Sequence, residues 1–234
     1  MQVGQSRCEN CVVRKHSLCG SIDGGALAAL GGMGRRKHFA AGDVIAWSGD
    51  ENLLVANVVD GALKITASTE DGREQIVGLL YRGDFMGQPF AEEAPLTVTA
   101  LGETDLCLFP RGAFERTLAD HPRLERSLLL RTMAQLDEAR QRMLALGRKN
   151  AQERLAGFLI EVIERTLPAR ANGPLSIEIP ISRGEMADFL GLTIETVSRQ
   201  LAKLRSAGVI EFSKGDRSCT VLDRAMLQQI AAPN

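Results

Sequence analysis

The chain has no apolar run approaching the roughly 18 to 20 residues that a membrane span requires. Its opening, MQVGQSRCENC, lacks a basic segment followed by an apolar core, so no export signal is read and a cytoplasmic location is expected. Charge of one sign is also missing, since 28 Lys and Arg stand against 29 Asp and Glu for a net charge of −1. Any contact with a polyanion must therefore come from local placement of cations. Histidine is scarce, with His16, His38 and His121 the only three, and neither a Ser-His-Asp spacing nor a Gly-rich phosphate loop accompanies them. Catalysis has little to build on, and an enzyme is not expected. What remains, 44% hydrophobic and 24% charged over 234 residues, is the composition of an ordinary globular protein of one large domain or two modest ones. Collagen-like, low-complexity and disordered chains are excluded.

The five cysteines are Cys8, Cys11, Cys19, Cys107 and Cys219, an odd number in a chain without an export signal, which argues against a disulfide framework and for free thiols. Three of them crowd into the first nineteen residues as Cys8-x2-Cys11-x7-Cys19. Taken alone, that spacing admits three readings. One is a tetrahedral zinc site completed by His16, Cys107 or another group. Another is an iron–sulfur cluster whose fourth thiolate comes from far along the chain. The third is a set of idle thiols on an N-terminal arm. Arg14 and Lys15 would offset part of the charge of a thiolate-bound group, His16 reads as a solvated loop residue, and Cys219, beside Val221, reads as a small buried thiol.

From about Phe39 to Pro110 short β-branched or alternating runs are separated by Gly-Asp and Asp-Gly pairs. Such runs are Asp43–Trp47, Leu53–Val59, Ala62–Ala67, Gln75–Leu80 and Leu96–Leu101. Turn residues every 8 to 12 positions predict an antiparallel roll. Arg123 to Leu146 then contains good helix formers and, until Gly147, neither Gly nor Pro. Within it Leu129, Thr132, Leu136, Ala139, Met143 and Leu146 recur at alternating steps of three and four, the seam of a parallel homodimer. Leu128, Leu130, Met133 and Leu144 lie off that seam and are expected to meet the helix's own domain. The competing reading packs the whole helix on its own roll.

A second amphipathic helix is expected from Lys149 to Thr166, with Pro168 to Pro174 as a loop. Two short helices follow around Gly191. Ser182-x-x-Glu185 forms a capping box for the first, and Thr193 caps the second. Val209–Phe212 and Ser218–Leu222, parted by Lys214-Gly215-Asp216, complete a winged helix-turn-helix. The start of its second helix enters the major groove, so Thr193, Glu195, Thr196, Ser198 and Arg199 are candidate base readers, while Val197 and Leu201 face inward. A carboxylate accepts from a cytosine amino group, a guanidinium bridges guanine O6 and N7, and a small hydroxyl meets a base edge or methyl. Lys203, Arg205, Lys214 and Arg217 are placed to reach phosphates. An exposed helix with ordinary surface charges is the bland alternative.

Four pieces of this chain together resemble the CRP/FNR superfamily of transcription regulators, and within it the oxygen-responsive FNR type in its alphaproteobacterial version. They are the glycine-marked roll from Phe39-Ala40-Ala41-Gly42-Asp43 to Asp60-Gly61-Ala62-Leu63-Lys64-Ile65, Cys107 in Thr104-Asp105-Leu106-Cys107-Leu108-Phe109-Pro110, the segment Arg148-Lys149-Asn150-Ala151-Gln152-Glu153-Arg154-Leu155-Ala156, and Glu195-x-x-Ser198-Arg199. The resemblance implies an α+β chain in four parts: a cysteine arm over 1–20, a cyclic-nucleotide-binding-like β-roll over 21–122, a dimerisation helix over 123–147 and a winged helix-turn-helix over 148–234.

It further implies that Cys8, Cys11, Cys19 and Cys107 hold one [4Fe–4S] cluster, with no ligand role for Cys219. In this reading the cluster, intact without oxygen, promotes a homodimer that binds double-stranded DNA at an inverted repeat of the TTGAT-N4-ATCAA type and works with RNA polymerase. Oxygen converts the cluster and releases the DNA. Arg199 reads the guanine, Glu195 the cytosine opposite and Ser198 a thymine edge.

Two departures are visible. Where cyclic-AMP-binding members place an Arg and a Ser or Thr on the nucleotide phosphate, this chain has Gly83-Asp84-Phe85-Met86-Gly87-Gln88-Pro89-Phe90-Ala91-Glu92-Glu93, with no arginine and two adjacent carboxylates, so no cyclic nucleotide is expected. Ala139 stands at a seam position where the enterobacterial proteins carry an acidic residue that opposes pairing. The alternative function is a regulator of the same fold that senses a small molecule, nitric oxide or a haem ligand, its cysteines binding structural zinc or nothing.

Overall fold

The structure, a computed structural model, describes residues 8–168, 173–212 and 217–232. The chain divides into two compact units, one of residues through Arg73 together with Val77–Asp137, the other of Glu74–Ile76 with residues from Glu138 onward.

The first unit is a roll of two four-stranded sheets. One runs in the order β1 (Arg35–Phe39), β8 (Thr104–Pro110), β3 (Leu54–Asp60), β6 (Phe85–Met86), and the other in the order β2 (Val44–Ala46), β7 (Thr97–Ala100), β4 (Ala62–Ser68), β5 (Glu74–Tyr81). The two-residue alternation of a strand sends successive side chains to opposite faces. Ala56, Val58 and Leu106 accordingly point between the sheets, where they form one core with Leu63, Leu80, Val98 and Ala100. Val55 and Phe109 point the other way, into a second core built with helices.

That second core contains α1 (Gly24–Met33), α2 (Arg111–Asp120) and the start of α3 (Pro122–Arg148), contributing Leu27, Leu30, Phe114, Leu118 and Leu124. Leu18 and Ile22 of the N-terminal arm are buried in it as well, and Cys8, Cys19 and Cys107 pack against its edge. Within the arm lie two short 3-10 turns, Arg14–His16 and Leu18–Ser21.

The long helix spans Pro122–Arg148. Leu128 packs on the second core. Leu130, Met133 and Leu144 do not meet their own domain as expected from the sequence, because they are 57%, 55% and 54% exposed. With Leu129, Leu136 and Met143 they make an uncovered apolar surface along a helix, and Thr132 and Ala139 are also exposed. Thr132 turns its hydroxyl back to the Leu128 carbonyl at 3.0 Å.

In the second unit α4 (Ala151–Thr166) opens with a capping box between Asn150 and Glu153 and buries Leu155, Phe158, Leu159, Val162 and Ile163. It packs on α5 (Arg183–Leu190), α6 (Ile194–Ser206) and α7 (Arg224–Ala231), beside a three-stranded sheet ordered β10 (Ile210–Phe212), β11 (Ser218–Val221), β9 (Leu175–Glu178). Arg154 locks the start of this unit: its guanidinium donates to the carbonyls of Leu146, Lys149, Leu190 and Gly191 at 2.8 to 3.3 Å. A single cation thus ties the end of the long helix to the turn of the helix-turn-helix.

Candidate functional site

The cysteine site is assembled by strand register. Cys107 points to the outer face of its sheet, between Arg36 of β1 on one side and Asn57 of β3 on the other. The Asn57 amide donates to the Cys19 sulfur at 3.5 Å, which brings the arm onto the same row. Gly34 leaves the room needed above Cys107, because a Cβ there would lie 3.2 Å from the Cys107 Sγ and 3.0 Å from the Phe109 ring. Cys8 and Cys11 stand in one turn, the Cys11 N–H donating to the Cys8 carbonyl at 3.3 Å. All four thiols are half-buried.

Burial pushes the Cys107 thiol up to about 12, with the negative charges of Cys19, Cys8 and Cys11 adding to it and Arg36 opposing. Burial pushes Cys19 up to about 11, against a hydrogen bond from Ser17, with Cys8 and Cys11 again raising it. The four sulfurs are therefore near enough to feel one another's charge. Among the described residues, however, no three His, Cys, Asp or Glu side chains converge on a point where a single metal ion would sit. The Asn57 Oδ1 is buried and has no hydrogen-bond partner. His16 is exposed, and Cys219 is fully buried in β11.

The second candidate surface is α6. Thr193 caps it, its hydroxyl accepting from the Thr196 N–H at 3.2 Å, after a turn made by Gly191 in the left-handed region at φ 61°. Val197, Gln200, Leu201 and Leu204 are buried, which leaves Glu195 and Arg199 exposed on the other face with Thr196 and Ser198 partly so. Arg199 Nη2 donates to the Thr196 hydroxyl at 3.4 Å, so Thr196 steadies the guanidinium. Hydrogen bonds from its own backbone N–H and from Thr193 hold the Glu195 carboxyl below the usual carboxylate range. An ionised acceptor and an always-charged donor fork thus share one exposed helix face. Lys203, Arg205 and Arg217 are exposed. Lys214 and its turn lie outside the described residues. Sequence reasoning placed neither the buried Gln200 nor the clamp formed by Arg154.

The roll also contains a cavity lined by Ala46, Leu54, Ile65, Leu80, Met86 and Val98, with Asn52, Gln88 and Gln135 as polar members and no cationic side chain to pair a phosphate.

Comparison with known proteins decides the family. Residues 153–230 match the Crp-like helix-turn-helix domain, and residues 36–121 match the cyclic nucleotide-binding domain. The chain is 40% identical over 228 residues to the transcriptional activator protein FnrL of Cereibacter sphaeroides, covering 96% of this chain and 92% of that one. It belongs to the CRP/FNR family of transcription regulators. Another relative of this CRP/FNR protein is the nitrogen fixation regulation protein FixK of Bradyrhizobium diazoefficiens, 35% identical over 96% of this chain and 94% of the relative. The solved structure of FixK2 from Bradyrhizobium japonicum superposes with a TM-score of 0.78 at 31% identity, over 86% of this chain and 98% of that one. A CRP/FNR regulator is a DNA-binding protein and not an enzyme, and among its described residues no helix is long and apolar enough to cross a membrane.

Proposed function

We propose that this regulator responds to oxygen through a [4Fe–4S] cluster held by Cys8, Cys11, Cys19 and Cys107. The observation that carries the reading is the gathering of three arm thiols around Cys107, all four half-buried and near enough that a charge on one arm thiol would raise the Cys107 thiol further. Four thiols without histidine are the donor set of a cubane cluster, a set that a four-cysteine zinc site shares, so metal and sulfide content decides between the two. The Asn57 oxygen beside them is buried and has no hydrogen-bond partner.

When bound, the cluster supplies an oxygen-labile cross-link between the arm and the roll. The chain's own residues do the rest. Cys107 lies on the sheet face that packs against the start of the long helix, so an arm fastened there is fastened to the element that carries Leu129, Leu136 and Met143. Two such helices pair through those apolar side chains into a homodimer. Pairing sets two recognition helices about one turn of DNA apart, which matches an inverted repeat. Arg199 reads guanine, Glu195 the opposite cytosine and Ser198 a thymine edge of each TTGAT half-site. Activation through RNA polymerase, the partner in this reading, agrees with the name of the FnrL relative.

The test is purification without oxygen followed by an operator-binding assay on the same sample before and after air. A brown protein with iron and sulfide near about four each per chain, binding DNA only before air, is expected. Colourless protein holding stoichiometric zinc, or DNA binding indifferent to air, overturns the reading in favour of a regulator with another effector.

A further inference from the structure

Beyond the apolar packing of Leu124 and Leu128, the arm is joined to the long helix by hydrogen bonds from Arg131. Arg131 donates through Nη2 to the His16 carbonyl at 2.6 Å and through Nη1 to the Gly83 carbonyl at 3.2 Å. His16 lies between Cys11 and Cys19 in the arm. Gly83 closes the turn against it, since a Cβ on Gly83 would stand 3.1 Å from the same His16 oxygen. A second guanidinium, that of Arg82, reaches the Val12 carbonyl at 3.5 Å. Besides the burial of Leu18 and Ile22, the arm is thus gripped through its backbone, in a manner that depends on its conformation.

Arg131 shares a helix stripe with Leu124 and Leu128, the two residues that pack on the core holding Leu18 and Ile22. At about 100° per residue, Leu129, Met133 and Leu136 fall on the far side of the same helix. One face is therefore anchored to the arm while the other is uncovered and apolar. A change in arm conformation that withdraws the His16 carbonyl releases the anchored face and lets the helix turn or tilt, which re-aims the apolar face.

We propose that Arg131 is the positioning residue through which the state of the cysteine arm is transmitted to the pairing helix. The inference rests on the oxygen-sensing reading for the stimulus, but the link itself is a property of the protein chain. Replacing the bidentate fork by a point charge keeps the cation and loses the simultaneous grip on two carbonyls. Arg131→Met keeps the apolar stem and loses both.

The experiment uses full-length wild type, Arg131→Met and Arg131→Lys, each with and without its cluster. Anoxic Arg131→Met is expected to match wild type in iron and sulfide and to remain folded. Its dimer dissociation constant should rise about tenfold, the equivalent of one lost charge-assisted hydrogen bond, with Arg131→Lys between the two. Amide hydrogen exchange on the cluster-free proteins is the independent readout. Residues 12–20 and 124–136 should both exchange faster in Arg131→Met, while Ala151–Thr166 stays unchanged. Unaltered dimerisation with unaltered exchange in 124–136 overturns the proposal, as does faster arm exchange that leaves the helix untouched. Should wild type hold no iron–sulfur cluster, the oxygen-sensing reading fails, and the exchange comparison still decides the role of Arg131.

Discussion

Asn57 stands directly opposite Cys107 in the antiparallel ladder between β3 and β8, and its amide continues the row to the Cys19 sulfur at 3.5 Å. A buried amide with an unpartnered oxygen is a cost to the folded chain, because that oxygen has lost water and gained nothing.

Asn57→Val should therefore act in opposite senses on the two forms. Without a cluster, the substitution removes a buried unsatisfied group from a strand, and stability should be unchanged or raised by up to about 2 kcal/mol in thermal unfolding. With a cluster, the loss of an N–H facing a ligand sulfur should shorten the life of the visible absorbance in air, since hydrogen bonds to the sulfurs tune such centres. A destabilised cluster-free protein together with an unchanged decay in air would show that Asn57 serves only to pack the sheet.

Cys107→Ser and Cys219→Ser separate ligand from core. Cys107→Ser should give a folded chain with no cluster absorbance and no anoxic operator binding. Cys219 is fully buried beside Val221 in the wing sheet, with burial pushing its thiol up to about 11. Cys219→Ser should keep the cluster and lose about 1 to 3 kcal/mol of stability, the cost of a hydroxyl in an apolar site. Retained absorbance and binding in Cys107→Ser would remove Cys107 from the ligand set.

The cluster-free protein should also lose stability in alkali. Cys19 and Cys107 hold their protons to about 11 and about 12, against 9.0 for the unperturbed thiol. Raised folded-state values mean that the unfolded chain gives up these protons first. The stabilisation is therefore complete below pH 9 and drains away as pH climbs toward 12. Denaturant titrations at pH 7.5, 9 and 10.5 should show this fall, shallower in Cys107→Ser. A flat profile would mean that the thiols are well solvated. Loading has the opposite dependence, because binding iron requires thiolates and releases protons, so reconstitution should improve with rising pH.

How far the sequence revealed this arrangement depends on where the signal was local. The long helix, free of Gly and Pro from Arg123 to Leu146, and the capped helices at Ser182 and Thr193 were legible because their periodicity and caps are local properties. The helix Gly24–Met33 was not, since four of its ten residues are glycine and its propensity is poor. It forms because Leu27 and Leu30 are buried against Phe109 and Phe114 of distant segments. The strand Arg35–Phe39 was hidden for the same reason, its run of four exposed, mostly basic residues offering no alternation, and its order coming from register with β8. The three arm cysteines stood out by spacing. Cys107 was one of several possible completing groups until the resemblance singled it out, because what brings it to them is the two-residue alternation of a strand 88 positions beyond Cys19.

The DNA surface offers the sharpest separation of roles, because the proposed reading divides the exposed charges on α6 into base readers and phosphate contacts. Arg199 is steadied by Thr196, and Glu195 is held ionised, so both are prepared before DNA arrives. Removing either should cost about 1 to 3 kcal/mol on the cognate half-site and relax preference at one base position, guanine for Arg199→Ala and its cytosine partner for Glu195→Ala. Lys203→Ala acts on a residue further along the helix that is exposed and without a base-reading position. It should weaken all sequences alike and lower the slope of affinity against salt by about one per protomer contact. Binding isotherms at several salt concentrations on cognate and single-substituted operators measure both quantities. If Arg199→Ala lowered the salt slope and left base preference intact, Arg199 would be a phosphate contact, and the assignment of sequence reading to this helix face would have to move to its neighbours.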